Sequence, residues 1–129
     1  RIPGNISSQF ITGLLFALPL LSFDSIIEIT TPLESKGYID LTLQVLKLYG
    51  IEIVNHEYKQ FIVRGRQEYK ARDYRVESDF SQAAFYLVAG ALGNDVTLLD
   101  LNLDSLQGDK ATIDFLKQMN CEIVKELKW

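Results

Sequence analysis

Two short polar stretches, Asn5-Ile6-Ser7-Ser8-Gln9 and Glu34-Ser35-Lys36-Gly37-Tyr38, each stand directly before a run of apolar residues with helical spacing. A helix start carries unpaired backbone N–H groups and the positive end of the macrodipole, so serine hydroxyls there add donors and Lys36 adds a full positive charge. Phosphate suits such a place, and two such ends converging would form a pocket for a phosphoryl group. Serine is also among the best N-cap residues, so each stretch taken singly reads first as a cap.

The other reactive side chains offer less. His56 lies in a turn between two apolar runs and reads as a surface residue. Cys121 aligns with an apolar position of an internal repeat and reads as a small core residue. With one cysteine and one histidine, the chain has no internal disulfide and too few soft ligands for structural zinc, and a reducing cytosol fits. The basic run Arg64, Arg66, Lys70, Arg72, Arg75, interleaved with Tyr69 and Tyr74, has the composition of a single-strand nucleic-acid groove, but Glu68 and Asp73 dilute it and it reads as a solvated linker. Seventeen acidic against thirteen basic residues, a net charge of −4, give no general attraction for nucleic acid or anionic lipid. The apolar run from Phe10 to Phe23 is shorter than the ~20 residues of a membrane span. It has neither the basic start nor the cleavage pattern of a signal peptide, so it reads as a core helix of a soluble domain.

The elements that must position these residues follow from periodicity. Phe10, Ile11, Leu14, Leu15, Ala17, Leu18 and Leu21 cover nearly all sides of a helix, which predicts burial all round, and Pro19 should end or kink its last turn. SIIEITT predicts a strand, YIDLTLQVLKLYG a helix with Gly50 just past its end, and IEIVN and QFIVRG two short strands around His56. The polar stretch RGRQEYKARDYR marks a boundary. Beyond it YRVE predicts a strand, DFSQAAFYLVAGALG a helix, DVTLLDL a strand, SLQGDKATIDFLKQMN a helix and CEIVKELK a strand. IEIV at 51–54 matches CEIV at 121–124, an offset of 70 that also pairs Ser35 with Ser105, Thr42 with Thr112 and Leu46 with Leu116. The chain is thus an internal repeat of the form β-α-β-α-β-β, cut through a repeat at each end and without an initiating methionine, which predicts a fragment of a longer protein.

Four motifs in order carry a family resemblance: Ser7-Ser8-Gln9-Phe10 with Ala17-Leu18-Pro19-Leu20, Ser35-Lys36-Gly37-Tyr38-Ile39-Asp40, Val76-Glu77-Ser78-Asp79-Phe80-Ser81, and Ser105-Leu106-Gln107-Gly108-Asp109. Together they resemble the 5-enolpyruvylshikimate-3-phosphate synthase (EPSP synthase, 3-phosphoshikimate 1-carboxyvinyltransferase) family, with Gly37 where the family has proline and Ser78 where it has glycine. The resemblance implies an α/β (α+β) fold of the inverse α/β-barrel type, with β-α-β-α-β-β units, buried helices and sheets outside. Residues 1–75 would end the shikimate-binding lobe, and 76–129 would open the second lobe.

It also implies a cytoplasmic, monomeric parent enzyme of chorismate and aromatic amino-acid biosynthesis. That enzyme transfers the enolpyruvyl group of phosphoenolpyruvate to the 5-hydroxyl of shikimate 3-phosphate by addition and elimination, releasing phosphate with no metal or organic cofactor. By the resemblance Ser7, Ser8 and Ser35 hold the 3-phosphate, Gln9 reaches both substrates, and Tyr38 packs beside the shikimate ring, with Lys36 and Asp79 as further candidates. No catalytic acid or base falls on this chain, which is expected to be inactive alone and, with exposed apolar faces, to self-associate. The readings it competes with are the sister transferase acting on UDP-N-acetylglucosamine and a non-catalytic repeat that binds RNA phosphates.

Overall fold

In the computed structural model, which describes residues 1–125, the chain forms two compact units, Arg1–Tyr74 and a second that starts at Arg75. The first unit runs α1 (Ser8–Ala17), a 3-10 turn (Leu18–Leu20), β1 (Ser25–Glu28), α2 (Lys36–Leu48), β2 (Ile53–His56) and β3 (Gln60–Val63). Pro19 does what its missing amide dictates: α1 stops at Ala17 and the chain tightens into the 3-10 turn, with the proline ring buried. α2 ends where Gly50 adopts φ +84°, with the Gly50 amide on Lys47 O (3.1 Å) and the Ile51 amide on Leu46 O (2.9 Å). This is a Schellman motif, sealed by the apolar contact of its two buried ends, Leu46 and Ile51.

The three strands form one antiparallel sheet in the order β1-β3-β2, with Ile27 opposite Phe61 and Ile53 opposite Val63. Alternation along β1 and β3 turns Ile27, Phe61 and Val63 inward while Ile26 stays exposed. Against that face α1 places Ile11 and Leu15, and α2 places Ile39 and Leu46. Each such side chain contributes about 1.5–3 kcal/mol by leaving water.

The expectation that α1 is buried on all sides is corrected. Only Ile11 and Leu15 are buried in it, while Phe10 is 64% exposed and Phe16 and Leu14 lie at the surface. One sheet and one neighbouring helix can cover only one side of a cylinder, and the side that carries Phe10 is left open.

The second unit contains α3 (Phe80–Ala91), a 3-10 turn (Gly108–Lys110) and α4 (Ala111–Gln118). α3 likewise buries Phe80 and Ala83 and exposes Phe85 and Tyr86. α4 starts six residues later than the Ser105 start the sequence predicts, because Ser105 and Gln107 are drawn into side-chain bonds with Glu77 instead. Its end repeats the end of α2: Asn120 takes φ +62°, its amide bonds Lys117 O (3.0 Å), and the Cys121 amide bonds Leu116 O (3.0 Å).

The strands expected at 74–77 and 95–101 do not form, nor does 121–125 of the last expected strand, whose residues 126–128 lie outside the described residues. So the second half does not show the full β-α-β-α-β-β order among the described residues, and what stands among them is a mixed fold of helices with one small antiparallel sheet. The physical reason is visible in the first unit, where β1 and β2 each pair with β3 and not with each other. Among the described residues, none of the stretches 74–77, 95–101 and 121–125 has a ladder partner. A strand without a ladder partner leaves its backbone groups to water and has no reason to hold an extended form.

Candidate functional site

The starts of α1 and α2 are joined through the loops that lead into them. The Thr31 hydroxyl accepts from the Gly4 amide (2.9 Å) and the Asn5 amide (3.2 Å) and donates to Asn5 Oδ1 (3.1 Å). The Glu34 amide donates to Gly4 O at 3.0 Å. Gly4 permits this approach: a Cβ there would lie 2.6 Å from Thr31 O and 2.8 Å from Leu33 Cα. One turn further in, the helices touch directly, Thr12 Oγ1 lying 3.3 Å from Thr42 Oγ1. Thr42 itself donates to Tyr38 O (2.8 Å), so Thr12 is the donor of the pair.

Ser7 is the N-cap of α1, its Oγ accepting from the Gln9 amide at 3.3 Å, while Ser8 and Gln9 occupy the first two helical positions. The side chains of Ser8 and Gln9 make no hydrogen bond among the described residues, and Gln9 is exposed. Ser35 is the N-cap of α2 but does not cap it. It sits in the left-handed region (φ 53°, ψ 38°) with no side-chain bond to the helix, and among the described residues neither its hydroxyl nor the amides of Lys36 and Gly37 find an acceptor. Neither α1 nor α2 has an acidic residue in its first turn, the nearest carboxylate before α2 being Glu34, one residue ahead of its N-cap. Tyr38, 39% exposed, stands in the first turn of α2, and the Lys36 ammonium lies 5.0 Å from the Tyr58 ring centroid.

Gly37 bears on this geometry. Proline at that position would disfavour the helical conformation for the preceding Lys36 and so start the helix one residue later. With glycine, Lys36 is the first helical residue.

Six of the seven residues singled out in the sequence, Ser7, Ser8, Gln9, Ser35, Lys36 and Tyr38, therefore belong to two adjoining helix starts of the first unit. Asp79 belongs to the second unit, where it caps α3 by accepting from the Ser81 amide (2.8 Å). Beside it Glu77 accepts from Ser105 Oγ (2.6 Å), Gln107 Nε2 (2.9 Å) and Asn102 Nδ2 (3.1 Å). Gln107 returns its Oε1 to the Phe80 amide at 2.8 Å. Partial burial would raise the Glu77 carboxyl, but these three donors, with Lys110 nearby, outweigh it and hold the group below its ordinary value. Ser78 carries no positive φ; its amide bonds Asp100 O (3.1 Å) and its hydroxyl Leu99 O (3.0 Å).

Thr31, Thr12 with Thr42, and the Tyr58–Asp40 pair were not singled out in the sequence. Their partners lie 18 to 30 residues away, and no local spacing signals them. The basic linker is tied down as well: Arg66 Nε donates to Ser22 O (2.9 Å), Arg72 to Leu48 O (2.9 Å), and the Tyr69 hydroxyl to Phe16 O (2.7 Å). A concavity of about 750 Å³ lined by Arg1, Glu28, His56 and Lys59 includes none of the residues at the two helix starts. Among the described residues no cluster of His, Cys, Asp or Glu could hold a metal ion, and no helix is long and apolar enough to cross a membrane.

Comparison with known proteins concerns the chain as a whole. The family model described as EPSP synthase (3-phosphoshikimate 1-carboxyvinyltransferase) matches residues 1–129. A 3-phosphoshikimate 1-carboxyvinyltransferase of Clostridioides difficile (strain 630) is 61% identical over 126 residues, covering 98% of this chain and 29% of that protein. Proteins of the same name from Clostridium novyi (strain NT) and Clostridium perfringens (strain SM101 / Type A) are 60% identical over 123 residues and 56% identical over 125, covering 95% and 97% of this chain. The chain spans under a third of the length of these curated relatives, 28–30% of each.

Proposed function

The chain belongs to the EPSP synthase family, and from that premise we propose that it is part of an enzyme that transfers the enolpyruvyl group of phosphoenolpyruvate to shikimate 3-phosphate. In this reading the joined starts of α1 and α2 hold the 3-phosphate. The observation that carries it is the gathering of free donors at two helix starts whose first turns hold no carboxylate. Among the described residues the amides of Ser8, Lys36 and Gly37 and the hydroxyls of Ser8 and Ser35 have no acceptor, no first-turn carboxylate competes, and the Thr31 bonds fix the two loops together. An anion placed there would satisfy several orphan donors at once.

Ser7 contributes as the cap that fixes the α1 start, Gln9 reaches toward phosphoenolpyruvate as well, and Tyr38 packs beside the ring. Asp79, the N-cap of α3 in the second unit, is a further candidate. The finer architecture follows the same reading: residues 1–75 close the shikimate-binding lobe and 76–129 open the other, in an inverse α/β barrel whose remaining units cover the exposed faces of α1 and α3. The whole protein is a cytoplasmic monomer, and this chain alone lacks the groups that move protons to and from the substrates.

Titration of the chain with shikimate 3-phosphate, followed at the amides of Ser8, Lys36 and Gly37 by NMR, tests the site. Saturable shifts at those amides are expected. Ser35→Ala should weaken binding by the about 1–3 kcal/mol of a hydrogen bond to a charged group. Unchanged amides at millimolar ligand would remove the site.

A further inference from the structure

The turn joining β2 to β3 is built against the grain of its sequence. Its two central residues, Glu57 and Tyr58, both have left-handed backbones (φ 51° and 59°), and the Lys59 amide closes on His56 O at 2.9 Å. This is the type I′ geometry that Asn-Gly fills easily and that L-residues with long side chains disfavour. The bonds that hold it run to α2. The Tyr58 hydroxyl donates to the Asp40 carboxylate, 2.9 Å from each oxygen, and its amide donates to Asn55 Oδ1 (2.8 Å). Its ring packs on the apolar core and carries the Lys36 ammonium 5.0 Å from its centroid.

Lys36 and Asp40 stand four residues apart on α2, the spacing at which a lysine and a carboxylate usually pair across one turn. They do not pair: none of the ion pairs among the described residues includes Lys36. The two side chains are held at different parts of one tyrosine, the carboxylate at its hydroxyl and the ammonium over its face. A cation over an aromatic ring keeps its full charge for another partner, whereas a cation paired with a carboxylate does not.

The geometry points to Tyr58 as a positioning residue: by occupying Asp40 and seating Lys36, it keeps the lysine's positive charge uncompensated at the start of α2, available to the substrate phosphate. This rests on the phosphate reading proposed above and deepens it. The raised pKa of the Tyr58 phenol, caused first by its bond to Asp40 and then by burial, keeps the hydroxyl a donor.

The test uses the whole chain, with shikimate 3-phosphate as probe and the Lys36 and Gly37 amides as reporters. Tyr58→Phe keeps the ring but frees Asp40 to turn on Lys36. It should weaken binding about three- to fivefold, the size of one solvent-screened charge pair. Adding Asp40→Asn should restore affinity, because the competing charge is gone while the ring remains, and a purely structural loss would instead deepen with the second substitution. Unaltered affinity in Tyr58→Phe, or a double variant as weak as the single one, overturns the positioning role while the site stands. Absence of binding by the unaltered chain removes the site and, with it, this role. Dispersed amide spectra of both variants establish that they fold.

Discussion

Thr12 and Thr42 join α1 to α2 by a single bond between hydroxyls 3.3 Å apart, one full turn inside the candidate phosphate site. Thr42 is nearly inaccessible, and its own proton is committed to Tyr38 O, so the pair has a fixed direction from Thr12 to Thr42. Thr42→Val keeps the shape but leaves the Thr12 hydroxyl without its acceptor. The expected loss is about 1–2 kcal/mol in the first unit, read as a lower urea midpoint. A midpoint unchanged from the parent chain would mean that the bond contributes nothing net.

Ser35 should separate stability from binding. Its left-handed backbone costs an L-residue on the order of 1 kcal/mol that glycine does not incur. Ser35→Gly is therefore expected to raise the unfolding midpoint while weakening shikimate 3-phosphate binding through loss of the hydroxyl. Thermal unfolding and ligand titration on the same sample check both signs, and a variant that gained in both would take the hydroxyl out of the site.

Glu77 should make the second unit acid-sensitive. Its carboxyl is held below the ordinary glutamate value of about 4.3, so it favours the folded state above that value, and the benefit is lost as pH falls through the folded pKa. Amide exchange at Phe80, whose N–H bonds Gln107, reports on the same cluster. Between pH 6 and pH 3, protection there should fall further in the parent chain than in Glu77→Gln, which starts lower and changes less. Parallel curves would show that Glu77 takes no part.

The matching helix ends predict opposite responses. Gly50→Ala places a Cβ at φ +84°, 3.0 Å from Lys70 Cδ, and should destabilise the first unit by about 1 kcal/mol or more. Asn120→Gly relieves a left-handed asparagine at the equivalent position and should stabilise the second unit by a few tenths of a kcal/mol, up to about 1. Denaturation followed by unit-specific amide signals distinguishes the two.

The sequence was most legible where a single residue dictates local geometry. Pro19 ends α1, Gly50 closes α2, and the alternation of Ile27 against Ile26 sets the buried face of β1. The serines before α1 and α2 were legible as helix starts, yet which of them caps was not. Ser7 does and Ser35 does not, because a left-handed φ at 35 comes from how the loop is tied through Glu34 to Gly4 rather than from residue type. The strands of the second half failed for a related reason. β-branched runs such as DVTLL favour an extended form, but a strand is completed by its neighbour. Apolar residues all round α1 were read as burial, although a helix can be hydrophobic on a side that its own unit leaves uncovered. Tyr58 carried no signal at all, because its partners Asp40 and Lys36 are brought to it only by the fold.

The order β1-β3-β2 also sets a timetable for the emerging chain. Ser25–Glu28 must wait 32 residues for Gln60 before its sheet neighbour is made, since Ile53–His56, made earlier, never bonds to it, and until then its backbone bond is the one from the Ile2 amide to Glu28 O. Translation at roughly 5–20 residues per second makes that interval a matter of seconds. During it the helices can form, while an apolar strand such as SIIE stays open to chaperones and to stray strand edges. One late hairpin arm then closes the sheet from both sides at once.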